Sequence, residues 1–143
     1  GMIGQSLVDA FGKGLKKSFG SLPGSTGKGS KVFADVASAA GIDSSGPYTS
    51  ESYDAAALIV LAMQAGGSAD RASIAKNVMA VANGPGKKIY PGELGKALDL
   101  LAKGKAVDYE GATGVNFTDV GEAQGSFLEK EIKGGKFKTK KQR

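Results

Sequence analysis

A chain of 143 residues, 41% hydrophobic and 23% charged, has the size and composition of one globular domain. It contains no cysteine and no histidine, which excludes disulfides, thiol nucleophiles, zinc sites of the Cys/His kind and every His-based triad. The net charge of +5 sits at one end: from Glu129 to Arg143 seven basic residues meet two acidic ones, whereas twelve of each balance in the body before it.

The start, Gly1-Met2-Ile3-Gly4, lacks the charged and apolar regions of a secretory signal, and Gly1 reads as an expression remnant. Leu7, Val8, Phe11 and Leu15 recur at helical spacing, which predicts an amphipathic helix over about 5–17 with Lys13, Lys16 and Lys17 in its last turn. Gly20 to Ser30 is a loop by composition. A phosphate-cradling loop fails there on spacing. Gly27-Lys28 is followed by Gly29 rather than Ser or Thr, and Leu22 stands where the first glycine is required.

A second helix runs through Val32, Phe33, Val36, Ala37 and Ala40, with Gly41 just past its end. Asp43 to Pro47 is a turn, and Tyr48 to Ser52 leads extended into the strongest element, Tyr53–Met63. From Ala55 to Met63 that element holds no polar residue, so it is expected to be buried on most sides. Thr49, Ser50 and Ser52 are candidate N-caps, Glu51 and Asp54 suit the positive end of the helix dipole, and Gly66-Gly67 stop the helix. Further helices are predicted from Asp70 to Ala82, capped by Ser68 or Asp70, and from Pro91 to about Lys103. Short strand candidates follow at Val115–Phe117 and Ser126–Ile132. Gly134-Gly135 makes a hairpin turn into Lys136-Phe137-Lys138. The basic stretch Lys136–Arg143 reads either as a contact for nucleic acid or anionic lipid, or as a solvated terminus. No aromatic interleaving or basic stripe continues into the body, which favours the second.

Five helices and three short strands leave a gap, because no near-continuous aliphatic strand of the parallel-sheet kind is present. Either the chain is a helical bundle with a terminal hairpin, or its sheet lies in other sequence. The run Gly46-Pro47-Tyr48-Thr49-Ser50-Glu51-Ser52-Tyr53-Asp54-Ala55-Ala56, followed by an Ala/Leu helix and Gly66-Gly67, resembles the C-terminal part of the type I periplasmic solute-binding proteins of branched-chain amino acid ABC transporters. The stretches Asp70–Asn83, Pro91–Leu98 and Tyr109–Phe117, and the turn at Gly121, resemble successive segments of the same family. Gly1-Met2 resembles the end of its Asp-Gly-Met.

The resemblance implies an α/β fold, a fragment of a two-lobed protein that binds an amino acid between its lobes. On this reading 1–47 is the end of lobe two with the crossing into the first lobe-one helix, and 48–104 are lobe-one helices. Residues 105–139 return to lobe two as short strands, and 140–143 are a basic tail. Carried over from the family, Met2, Tyr48, Ser50, Glu51 and Tyr53 fall at the ligand cleft. Hydroxyls and helix N-terminal N–H groups would take a carboxylate there, and an acidic side chain an ammonium. Simple helix capping for Ser50 and Glu51, and aromatic packing for Tyr53, are the alternatives. The implied partners are a small amino acid and a membrane permease, with no nucleic acid, and the implied place is the periplasm. Uncovered helix faces would make a homo-oligomer of the fragment. No carboxylate pair is spaced for catalysis, so neither an enzyme nor a cofactor or metal site is expected. The competing reading is an independent helical interaction module whose basic tail meets an anionic partner.

Overall fold

A computed structural model describes residues 4–143, apart from the Lys13 side chain; Met2 therefore lies outside the described residues. Helix α1 covers Gln5–Phe11 and passes into a single 3-10 turn, Gly12–Leu15. The expected helix to residue 17 is cut short where Gly12 and Gly14, poor helix formers, follow each other closely. Phe19–Pro23, which runs into the Gly20–Ser30 stretch read as a loop by composition, is strand β1. It forms because β6, Phe127–Lys133, pairs antiparallel with it, Leu22 opposite Leu128 and Phe19 opposite Glu131. Pro23, with no N–H to donate, stands at the last position of this edge strand, where a proline is tolerated.

Helix α2 covers Lys28–Ala39. Helix α3 covers Thr49–Gly66, starting four residues before the apolar core helix read from sequence, so residues 49–52 are helical rather than extended. α4 is Arg71–Ala82, β2 is Lys87–Ile89, α5 is Leu94–Ala102 and β3 is Val107–Tyr109. Strands β4, Asn116–Phe117, and β5, Ala123–Gln124, make a short antiparallel pair. β2 and β3 pair in parallel, Ile89 beside Tyr109, the single parallel pairing among the described residues.

The stretch read as a solvated basic tail is a strand. β7, Lys136–Gln142, returns from the Gly134-Gly135 turn and pairs along β6, with a bulge between Glu129 and Lys130. The sheet order is β1-β6-β7, so the two ends of the chain are joined in one antiparallel sheet.

The main core lies under α3. Ala57, Leu58, Leu61 and Ala62 meet Val81 and Ala82 of α4, Ala97 of α5, and Ile89, Val107 and Tyr109 of the parallel pair. Spacings of three and four put those α3 residues on one face. The other side of α3 is open, with Ile59 47% and Val60 39% exposed. The helix is thus buried on one face and not on most sides, because α4, α5 and β3 all pack against that face. A smaller cluster joins Phe33 and Ala37 of α2 to Ala112, with Tyr53 against it. Among the described residues no helix is long and apolar enough to cross a membrane.

Candidate ligand-binding site at the start of helix α3

Gly46, Pro47 and Tyr48 turn the chain into α3. Tyr48, the residue before the first helical position, sits at φ 63 and ψ 10, the left-handed region, and is the one non-glycine at positive φ among the described residues. For a bulky L-residue this conformation costs on the order of 1–3 kcal/mol. Nearby hydrogen bonds hold it there: the Thr49 hydroxyl donates to the Gly46 carbonyl at 2.8 Å, and Ser52 N–H donates to the Tyr48 carbonyl at 2.9 Å. The Tyr48 side chain is left about half exposed, 48%.

No side chain caps the first turn, so the hydroxyls expected as N-caps do other things. The Ser50 hydroxyl donates to Glu51 Oε2 at 2.9 Å. The second carboxylate oxygen, Glu51 Oε1, is buried without a hydrogen-bond partner. A buried polar atom left unpaired is costly and calls for an explanation. Glu51 lies in the first helical turn, where a negative charge is favoured by the dipole.

Tyr53 lies one turn on and is turned towards α2. Its ring packs on Phe33 at 5.0 Å between centroids, tilted by 44°, and its hydroxyl accepts the Gly92 N–H at 3.1 Å. This is the packing arrangement of an aromatic with a polar tip. An apolar groove of about 280 Å³ runs beside it, lined by Val36, Ala40, Ile42 and Thr49 among others. Tyr48, Ser50 and Glu51 are therefore together at one helix end, with Tyr53 beneath them as part of the wall.

A residue that sequence reasoning placed only by its charge fixes this helix end. Asp54 is 3% exposed, and its carboxylate accepts four hydrogen bonds. The Tyr109 hydroxyl and Ala112 N–H donate to Oδ1, each at 2.8 Å. Thr113 N–H at 2.8 Å and the Thr113 hydroxyl at 2.7 Å donate to Oδ2. Burial, and then the Asp54 charge, push the Tyr109 phenol far above its ordinary range, so it stays a donor. Gly111 turns the chain around the carboxylate at φ 58, and any Cβ there would overlap Asp54 Oδ1. Gly29, near the start of α2, has a similar need, since a Cβ would run into the Gly111 carbonyl oxygen. The loop after β3 thus grips the first turns of α3 and backs onto α2. An aspartate followed directly by an apolar run was the one sequence signal for this. Nothing local named Tyr109 and Thr113 as its donors.

Chemically, the helix end offers a hydroxyl, a carboxylate oxygen in need of a donor, an exposed phenol ring and unpaired helical N–H groups. That set suits a small zwitterion: the carboxylate takes an ammonium, and the helix N-terminus takes an anionic group.

No protein-family model matches the sequence. Over 68 residues, 48% of this chain, it is 41% identical to the chemotactic signal transduction system substrate-binding protein BasB of Halobacterium salinarum, and the match takes in 16% of that protein. The structure is similar to that of a leucine binding protein, LivK, from Thermotoga maritima, with a TM-score of 0.62 and 18% identity. That likeness covers 96% of this chain and 34% of the other. The chain therefore spans well under half the length of either protein it matches.

Proposed function

We propose, for a chain that carries along 96% of its length part of the fold of a type I periplasmic solute-binding protein, that it is the C-terminal portion of an extracytoplasmic substrate-binding component that holds a small amino acid between two lobes. The observation that carries this reading is the start of α3. A tyrosine is kept at a costly left-handed conformation directly ahead of Ser50 and Glu51, and one Glu51 oxygen is buried with nothing to accept from. Strained backbone of this kind concentrates at functional sites. Both similar proteins carry names of binders, a substrate-binding protein and a leucine binding protein.

In this reading Glu51 accepts from the ligand ammonium and Ser50 orients that carboxylate. The Tyr48 ring closes over the ligand, and Tyr53, packed on Phe33 of α2, supports the loop from below. Met2, outside the described residues, stands with them as a contact from the other lobe. The loaded protein then meets an ABC permease at the membrane. The name of the Halobacterium protein favours a second destination, a chemotactic transducer. Calorimetric titration of the two-lobed protein containing this segment with a panel of amino acids tests the reading. Glu51→Gln and Tyr48→Ala should each weaken binding by about tenfold or more, the size of a lost charged hydrogen bond or a lost aromatic contact. Unchanged affinity in both variants would remove these residues from the site.

A further inference from the structure

The β1-β6-β7 sheet has two unlike faces. On one, Leu22 pairs with Leu128 and Ile132 with Phe137, and α1 lies against this face, with Val8 buried. The opposite face is open. Alternation along the strands puts Phe19, Phe127, Glu129 and Glu131 on it. Their register partners Lys133↔Lys136, Glu131↔Lys138 and Glu129↔Lys141 add lysines, and Arg143 exchanges both backbone hydrogen bonds with Phe127.

Two features of this face are out of place on a solvated sheet. Phe19 is 81% exposed and Phe127 49% exposed, with a cleft of about 420 Å³ between them floored by Ser21, Glu129 and Arg143. The charge is also one-sided. Glu129 is neutralised by Arg143 at 3.0 Å and Lys140 at 3.4 Å. Lys133, Lys136, Lys138 and Lys141 have no carboxylate within ion-pair distance among the described residues. The aromatic neighbours that sequence alone did not place beside the basic stretch are supplied by the fold, Phe19 from more than a hundred positions away.

We propose that this open face docks on an anionic lipid surface, with Phe19 and Phe127 entering the headgroup boundary and the β7 cations meeting the lipid phosphates. The pattern of bare phenyl rings set among free lysines is that of an interfacial contact, in which apolar burial and charge attraction add. A single-stranded nucleic acid fits less well. Four strand positions separate the levels of the two rings, about 13 Å, too far for stacking successive bases; Glu129 stands between them and Glu131 is level with Phe19. The proposal is independent of the ligand reading at α3.

Co-sedimentation of the two-lobed protein containing this segment with vesicles tests it. Vesicles of equimolar phosphatidylcholine and phosphatidylglycerol should bind it at low salt, and vesicles of phosphatidylcholine alone should not. Phe19→Ser with Phe127→Ser, and separately Lys138→Glu with Lys141→Glu, should each lower binding about tenfold or more, with unchanged circular dichroism. Lys103→Glu with Lys105→Glu, at the far end of α5, removes the same charge elsewhere and should leave at least half of the binding. Equal loss in that control, or no binding to the anionic vesicles, overturns the proposal. Light scattering that shows a dimer abolished by the phenylalanine pair would give the face to a second copy. Tighter, phenylalanine-dependent binding of a single-stranded oligonucleotide would give it to nucleic acid. Either result also overturns it.

Discussion

The half of the molecule around α3 and the half made by the terminal sheet are built in different ways. Under α3, Leu61, Ala62, Ile89, Val107 and Tyr109 are each 1% exposed or less, and one carboxylate satisfies four donors at the edge of that core. In β1, β6 and β7 no residue is fully buried, and two phenylalanines face outwards. The first half is filled by its own side chains. The second is held by strand pairing and by one apolar face against α1. Stability should therefore be concentrated in the first half, and surface chemistry in the second.

The largest test of that contrast is Asp54→Ala. It leaves the Tyr109 hydroxyl and the donors at Ala112 and Thr113 without an acceptor, and should cost about 3 kcal/mol or more in urea unfolding. Amide exchange should show the loss across α3 and β3 with little change in β6. Next, Leu61→Ala should cost about 2–5 kcal/mol, the usual range for a fully buried leucine, whereas Ile59→Ala on the open side of the same helix should stay within about 0.5 kcal/mol. Equal costs at the two positions would mean that the open side is covered in solution. Gly111→Ala should cost about 1–2 kcal/mol through its positive φ alone, and more through overlap with Asp54.

The smallest effect belongs to the sheet. The Arg143 hydrogen bond, with help from Lys140, holds the Glu129 carboxyl below its ordinary range. A carboxylate whose folded value is lowered adds stability above its unfolded value and loses it as pH falls through the folded one. Acidification below the ordinary carboxylate range should therefore lower the amide protection factors, taken relative to intrinsic exchange at each pH, at Phe127 and Arg143, which bond each other at 2.9 and 2.8 Å. The change should be slight, because the pair is solvated. At Leu61 the same pH step should leave the protection factor unchanged.

The sequence was most legible where structure is local. The positions of α2, α4 and α5 follow from apolar spacing and from the residues that end each helix, and the Gly134-Gly135 turn announces the β6–β7 hairpin. The α/β class and the family resemblance, read from the Gly46–Ala56 run and the segments after it, agree with the fold that the structure shows. Non-local features were not legible. β1 looks like a loop until β6 lies beside it, and β2 begins with two lysines that mask its parallel pairing with β3.

At the candidate site, Ser50 and Glu51 stand out as polar residues at the head of an apolar helix. The conformation of Tyr48 could not be read from its residue type, because tyrosine rarely takes a positive φ. The grip on Asp54 was equally hidden, since its donors lie 55 to 59 positions away.

Chemical-shift mapping on the isotopically labelled two-lobed protein that contains this segment, titrated with leucine and a panel of other free amino acids at millimolar concentration, decides whether the start of α3 is a ligand site. The expected result is a set of saturable shifts at the backbone amides of Ser50 and Glu51 and at the Tyr48 ring, with the amides of β1, β6 and β7 unmoved. Shifts confined to the sheet, or ligand-induced shifts that leave Tyr48 to Glu51 unchanged, would contradict it.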